Sequence, residues 1–220
     1  MTPPTVAGDA LAPMIVPERT ALLVIDVQVD FVAPDGPMGS AGVDLSTIPP
    51  ALARIHSIIA TARAAGATVG FVRVVTRPET DSDALKLLMA RKGLPPESVA
   101  LCRDGTPGAG YYQVRPLPGE LEIQKTLFSS FVGTRLEEQL RERDIDTLVV
   151  VGFTTECCVD CTVRDAFHRN FNVFIVADAC AAYSSSLHYG ALESLAANCA
   201  LLAEADAVLK AWAPGKSAGR

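Results

Sequence analysis

The chain has 220 residues, of which 49% are hydrophobic and 20% are charged, so it can bury a core and is not disordered as a whole. Its 19 basic and 25 acidic residues give a formal charge of −6, which argues against a general polyanion binder, and an aromatic content of 6% argues against recognition by base stacking. Six cysteines are too sparse for a disulfide scaffold. An acidic protein with one domain is therefore expected.

The two ends of the chain differ in composition from its middle. Residues 1–19 lack a basic stretch followed by an apolar run, so we expect an irregular N-terminal arm and not a signal peptide. Residues 213–220 are expected to form a flexible tail. No apolar run approaches the ~20 residues that a membrane span needs. These features predict a cytoplasmic protein with one domain over residues 20–212.

Apolar runs of strand length alternate with longer segments of helical period. The run 20–25 (TALLVI) is continuously aliphatic, as expected for a strand buried on both faces. Segment 49–65 has apolar residues at helical spacing before Gly66, a typical helix stop, and 67–76 (ATVGFVRVVT) is a second strand. Further strands are predicted at 148–151, 173–176 and 200–202, and further helices at 135–142, 155–170, 184–198 and 204–212.

This alternation predicts a single α/β domain. The expected architecture is a three-layer α-β-α sandwich around a mostly parallel, Rossmann-like sheet of about six strands, with right-handed crossovers. In such sheets, ligands bind at the carboxyl ends of the strands, near the point where the strand order reverses. The residues that directly follow the aliphatic runs are therefore the first candidates for a functional site.

The segment 77–120 interrupts the alternation because it is rich in proline and glycine. One short helix is predicted in it, at 83–91. An insertion of this length in a compact domain is usually functional or disordered. We expect it to be a lid or a substrate-shaping loop and not a second domain.

Three reactive residue types follow buried elements. Asp26 comes directly after ALLVI, Lys125 comes shortly after LEI, and Cys158 lies in the turn TTECC after LVVVGF. The N–H groups and dipole of a helix start stabilise a thiolate and could hold an oxyanion. The three histidines fall in predicted helices, so Asp26 is the candidate acceptor of the thiol proton, with Lys125 stabilising the charge. Taken singly, a buried structural cysteine, a turn-forming aspartate and a solvated lysine are ordinary alternatives.

The segments ALLVIDVQVDF, KTLFSSF and VVVGFTTECCVDCTVRDAF resemble the motifs of the isochorismatase-like cysteine hydrolase superfamily. That group includes nicotinamidases, N-carbamoylsarcosine amidases, ureidoacrylate amidohydrolases and biuret or triuret hydrolases. The resemblance extends over residues 18–212 and implies an isochorismatase-like hydrolase fold. It also implies a catalytic triad of Asp26, Lys125 and Cys158, and it selects Cys158 over the adjacent Cys157 as the nucleophile.

The resemblance further implies the geometry around the nucleophile and the state of assembly. A cis peptide would join Phe153 and Thr154, and the backbone N–H groups of Thr154 and Cys158 would form the oxyanion hole. Family members form dimers or tetramers, so a homodimer or homotetramer is expected, with no nucleic-acid or membrane partner.

The reaction implied by the resemblance is acyl transfer through a thioester on Cys158. The expected substrate is a small linear amide or ureide of the ureidoacrylate, biuret or triuret kind, and ammonia or an amine would be released. No cofactor is expected, and no metal either, because the region VRVVTRPETD lacks the paired histidines with which some members bind one.

Two alternatives remain open. The first is hydrolysis of another small amide, such as nicotinamide or N-carbamoylsarcosine. The second, from another class, is a dithiol redox protein, because Cys158 and Cys161 form a C-x-x-C pair. Cys102, Cys180 and Cys199 are expected to be structural thiols.

Several further residues near strand ends or in the motifs are candidates for substrate contact. Phe31 and Phe131 would wall a small pocket, Glu156 would accept a substrate N–H, and Arg77 would meet a carboxylate or carbonyl. The full set of candidates is Gln28, Phe31, Arg77, Phe131, Glu156 and Tyr183.

Overall fold

The computed structural model describes residues 4–213, with one six-stranded sheet at the centre. The strands are β1 (Thr20–Ile25), β2 (Thr68–Val74), β3 (Leu121–Lys125), β4 (Thr147–Phe153), β5 (Asn172–Ala181) and β6 (Leu201–Ala203). Their order is β3-β2-β1-β4-β5-β6, and every neighbouring pair is parallel. The predicted single α/β domain is confirmed, and its sheet is wholly parallel.

Helices cover both faces of the sheet. They are α1 (Gly8–Leu11), α2 (Val29–Val32), α3 (Pro37–Ser40), α4 (Ile48–Ala65), α5 (Asp83–Arg91), α6 (Leu136–Arg141), α7 (Asp160–His168), α8 (Ser185–Asn198) and α9 (Ala205–Ala211). Apolar side chains of α4 and α9 pack on one face, and those of α6, α7 and α8 pack on the other. Among the described residues, no helix combines the length and apolarity needed to cross a membrane.

Strand β1 lies in the middle of the sheet because all six of its residues can be buried. Side chains alternate across a strand, so Leu22 packs in the layer of α4 and α9, while Leu23 packs in the layer of α6, α7 and α8. The continuous aliphatic run thus supplies both cores at once, as a central parallel strand requires.

The strand order reverses between β1 and β4. The chain proceeds from β1 outward through β2 and β3, and then crosses to β4 on the other side of β1. Connections that leave in opposite directions open a crevice at the carboxyl ends of these two strands. Asp26 follows β1, and the turn with Cys158 follows β4, so both residues lie at this crevice.

Strand β5 is longer than the predicted 173–176. It continues to Ala181 and includes the charged residue Asp178. In the structure the carboxylate of Asp178 accepts a hydrogen bond from the Ala205 backbone N–H at 2.7 Å and lies 3.2 Å from Arg54 Nε. A charged side chain with these partners is compatible with a strand interior.

The segment before β1 is more regular than the predicted arm. It contains α1, and Leu11 and Ile15 are fully buried in the core. The indole N–H of Trp212 donates a hydrogen bond to the Ile15 carbonyl at 2.7 Å, which fastens this segment to the C-terminal end of the domain. The predicted tail lies outside the described residues except for residue 213.

Gly152, in β4, lies where two backbones approach each other closely. Its φ of +126° is disfavoured for residues with a side chain, and its register partner is Ile25 of β1. A Cβ at this position would lie 2.1 Å from the Ile25 carbonyl oxygen. Glycine is therefore required for β4 to pair with β1 directly before the site.

Gly152→Ala is expected to destabilise the protein by about 3 kcal/mol or more, because backbone strain adds to the overlap with Ile25. Urea unfolding monitored by circular dichroism measures the change. Gly190→Ala is the matched control, since a Cβ there meets nothing within 4 Å in the exposed part of α8. The control should be stabilising by about 0.5–1 kcal/mol. Equal unfolding midpoints for Gly152→Ala and the wild type would contradict the close approach.

Candidate active site

Asp26, Lys125 and Cys158 are brought together from three parts of the chain. Asp26 is the first residue after β1, Lys125 is the last residue of β3, and Cys158 lies in the turn after β4. Lys125 Nζ donates a hydrogen bond to Asp26 Oδ2 at 2.8 Å, and both side chains are 0% exposed. Cys158 is 7% exposed and lines the adjoining cavity.

The ammonium group of Lys125 is held by two acceptors. Strand β2 separates β3 from β1, so the lysine side chain extends across the end of β2 to reach Asp26. The same Nζ also donates to the carbonyl of Phe128 at 2.5 Å. This second hydrogen bond fixes the position of the positive charge beside the aspartate.

The carboxyl group of Asp26 is poised to take up a proton. Burial raises its pKa, and the charge of Lys125, the hydrogen bond from Lys125 and the nearby Cys158 thiol oppose this shift only in part. Lys125 occupies Oδ2, while Oδ1 is buried without a hydrogen-bond partner. Burial lowers the pKa of Lys125, but the charges of Asp26 and Cys158 outweigh it, so the net pKa is raised and the lysine stays cationic.

The surroundings of Cys158 favour the protonated form of its thiol, whose proton Asp26 is expected to accept. A hydrogen bond to Cys157, burial and the negative charge of Asp26 raise its pKa well above the ordinary value, and the charge of Lys125 offsets only part of this. The same hydrogen bond lowers the pKa of Cys157. The dipole at a helix start is only one influence on the pKa of a thiol, and these neighbours of Cys158 act in the opposite direction.

The turn that carries Cys158 differs from the predicted helix 155–170. Helix α7 begins only at Asp160, and Thr155–Val159 form one π-helical turn. The Phe153–Thr154 peptide bond is cis, as the resemblance implied. The carbonyl of Thr154 accepts hydrogen bonds from the N–H groups of Cys157 and Val159, at 3.1 and 3.2 Å.

His188 is a neighbour of this turn that the sequence did not indicate. Its Nδ1 is hydrogen-bonded to Thr155 Oγ1 at 2.8 Å, and burial lowers its pKa. The contact joins α8 to the residue three positions before Cys158. A histidine inside a predicted helix gives no sign of such a long-range partner, so the sequence offered no signal for it.

A cavity of about 430 Å³ lies over Cys157 and Cys158. Its wall is mainly apolar, and the insertion contributes Leu85, Leu88 and Met89 from α5. Helix α5 has the bounds predicted for it, 83–91. The insertion therefore limits the space above the thiol. Within residues 4–213, no group of three or more His, Cys, Asp or Glu side chains could hold a metal ion.

Three of the six candidates for substrate contact line this cavity: Phe31, Glu156 and Tyr183. The hydroxyl of Tyr183 donates to the Phe31 carbonyl at 2.9 Å, which joins two sides of the wall. The proximity of Glu156 and Cys158 contributes to a raised pKa of Tyr183, although burial is the main cause. These residues form a continuous surface around the thiol.

The other three candidates, Gln28, Arg77 and Phe131, lie outside the cavity lining. The guanidinium of Arg77 is exposed and pairs with Asp104 at 2.7 Å. Phe131 is buried in the core against Phe171, with ring centroids 5.9 Å apart. Position near a strand end does not reveal which way a side chain is directed or which partner it has.

Gln28 fastens the insertion to the sheet. Its amide group donates to the carbonyls of Val74 and Ala109, at 2.8 and 3.0 Å, and accepts from the Val74 N–H at 2.7 Å. Asp30, two residues on, accepts from the Cys102 N–H at 2.6 Å. The segment that carries Asp26 thus also holds the loop that covers the cavity.

The isochorismatase domain family matches residues 20–207. Ureidoacrylate amidohydrolase RutB of Methylobacterium radiotolerans is 34% identical over 192 residues, which are 81% of this chain and 74% of that protein.

Solved structures show the same similarity. A cysteine hydrolase from Pseudomonas syringae pv. phaseolicola has a TM-score of 0.80 and 25% identity, with 90% of this chain and 94% of that chain covered. Nicotinamidase PncA from Bacillus subtilis has a TM-score of 0.66 and 27% identity, with 84% and 99% covered.

Asp26→Asn is expected to make Cys158 more reactive toward iodoacetamide at neutral pH. Removal of the negative charge leaves Lys125 unopposed beside the thiol, so the thiol pKa falls and more thiolate is present. Alkylation rates measured across pH, with peptide mapping to identify Cys158, should show a midpoint at lower pH than in the wild type. Asp104→Asn, at an exposed ion pair outside the cavity, should leave the midpoint unchanged. A midpoint that stays or rises in Asp26→Asn would show that Asp26 does not act on the thiol.

Proposed function

The chain belongs to the isochorismatase domain family, and on this basis we propose that it is a cysteine amidohydrolase that cleaves a C–N bond of a small linear amide or ureide. The observation that carries the proposal is the buried pair of Asp26 and Lys125 beside Cys158, whose thiol lines the cavity. This arrangement supplies a nucleophile, a proton acceptor and a fixed positive charge without a histidine.

The first step joins proton transfer to nucleophilic attack. Asp26 Oδ1 accepts the thiol proton of Cys158 while the sulfur attacks the carbonyl carbon of the substrate. A free thiolate is disfavoured here, since the thiol pKa is raised, so the proton leaves as the C–S bond forms. Lys125 balances the charge that passes between the two residues.

The tetrahedral intermediate then expels the amine. We assign its oxyanion to the backbone N–H groups of Thr154 and Cys158, as in the family. Asp26 returns its proton to the leaving nitrogen, which departs as ammonia or an amine and leaves a thioester on Cys158. The raised pKa of Asp26 suits this exchange, because the carboxyl group must hold the proton between the two events.

Water completes the reaction. Asp26, again ionised, accepts a proton from water as the oxygen attacks the thioester, and the sulfur leaves and recovers a proton from Asp26. The products are a carboxylic or carbamic acid and ammonia or an amine, so the overall change is the addition of one water molecule to the amide. Each proton is carried by the same carboxyl group.

The size of the cavity favours a small substrate. We assign to the insertion 77–120 the role of shaping this cavity. A volume of about 430 Å³ with an apolar wall suits a compact molecule. The similarity to ureidoacrylate amidohydrolases favours a linear ureide of the ureidoacrylate, biuret or triuret kind. The similarity to a nicotinamidase structure keeps a second candidate, hydrolysis of another small amide such as nicotinamide or N-carbamoylsarcosine.

Cys158→Ala is expected to reduce ammonia release by at least about 10³-fold on every substrate that the wild type accepts, because the nucleophile is lost. The measurement is a screen of linear ureides, nicotinamide and other small amides. Preference for linear ureides supports the first candidate, and preference for nicotinamide supports the second.

Cys161→Ser is the matched control for this screen. Cys161 lies outside the cavity lining, and all six cysteines are free thiols. The proposal requires that this variant keeps the activity, whereas a C-x-x-C redox function requires that it loses the activity. Full ammonia release by Cys158→Ala would overturn the proposed chemistry.

A further inference from the structure

The cavity is lined by a carboxylate, that of Glu156, which takes no part in the proposed reaction. Glu156 lies two residues before Cys158 in the π-helical turn and lines the same cavity. Its Oε2 atom is buried and has no hydrogen-bond partner. Buried polar atoms are nearly always hydrogen-bonded, so an unpaired carboxylate oxygen in a binding cavity indicates a partner that arrives with the ligand.

Neighbouring donors are already engaged. The Tyr183 hydroxyl donates to the Phe31 carbonyl. Lys125 Nζ donates to Asp26 and to the Phe128 carbonyl. These two donors are therefore not available to the Glu156 oxygen, which is left for a group of the ligand.

The charge of the wall also favours a donor in the ligand. Of the described residues that line the cavity, Glu156 carries the one negative charge and Lys92 the one positive charge. Lys92 is exposed at the end of α5, where water screens its charge. An anionic group placed beside Glu156 would meet repulsion, because the buried cation Lys125 is already paired with Asp26.

We propose that Glu156 binds an N–H group of the substrate other than the scissile one, and so selects neutral or cationic amides over those with a carboxylate at that position. The inference rests on the proposed function, because it places this donor next to an amide held at Cys158. Among the linear ureides considered, it favours uncharged molecules with several N–H groups, such as biuret and triuret, over the anionic ureidoacrylate.

Two probes of equal size separate these possibilities. Malonamide has two amide groups, and malonamate has the same skeleton with a carboxylate in place of one amide. Binding of each is measured by titration calorimetry to Cys158→Ala, in which the proposed nucleophile is absent and turnover does not interfere. Malonamide is expected to bind at least about tenfold more tightly than malonamate.

The double variant Cys158→Ala/Glu156→Gln keeps the shape of the side chain and removes its charge. It is expected to lose this preference, with malonamide binding about tenfold more weakly. Cys158→Ala/Glu193→Gln makes the same chemical change on the exposed part of α8 and should keep the preference.

The inference is overturned if Glu156→Gln leaves the preference unchanged, if malonamate binds more tightly, or if neither probe binds. These outcomes concern the Glu156 contact alone. The proposed chemistry is tested separately, by ammonia release from Cys158→Ala compared with the wild type. Failure of one proposal is therefore distinguishable from failure of the other.

Discussion

The ion pair between Asp26 and Lys125 is the constraint on which the site depends. Two opposite charges with fully buried side chains are tolerated only when they remain paired, because removal of one partner leaves an uncompensated charge that costs about 3–5 kcal/mol. The pair links the end of the central strand β1 to the end of the edge strand β3, so it requires both strand ends to stay in register. The same burial raises the pKa of Asp26 and keeps its free oxygen as a proton acceptor.

The segment around Asp26 connects chemistry to architecture. Gln28 and Asp30 follow it at alternate positions, and both hold the insertion by hydrogen bonds to its backbone. Gly108 in the insertion lacks a side chain where a Cβ would lie 2.1 Å from Asp30 Oδ1, so loop and carboxylate can approach closely. One short stretch therefore supplies the proposed base and also holds the loop that lines one side of the cavity.

The sequence predicted those features that depend on local pattern or on sheet topology. Aliphatic runs indicated the buried strands, and the rule that ligands bind after parallel strands pointed to Asp26, Lys125 and Cys158, which the structure brings together. Features that depend on contacts between residues far apart in the sequence could not be predicted from the sequence. Gln28 is a candidate for substrate contact in the sequence, but its hydrogen bonds to Val74 and Ala109 give it a structural role. The raised pKa of the Cys158 thiol follows from Cys157, burial and Asp26 together.

The central claim is that an acyl group passes through the sulfur of Cys158, with Asp26 carrying the proton. The most direct measurement is mass spectrometry of the enzyme quenched in acid during turnover of an amide that it hydrolyses. The account predicts that the peptide containing Cys157 and Cys158 gains the mass of the acyl group, and that fragmentation assigns it to Cys158. An unmodified peptide under conditions where the thioester must accumulate, or an acyl group on Cys157 or Cys161, would contradict the account.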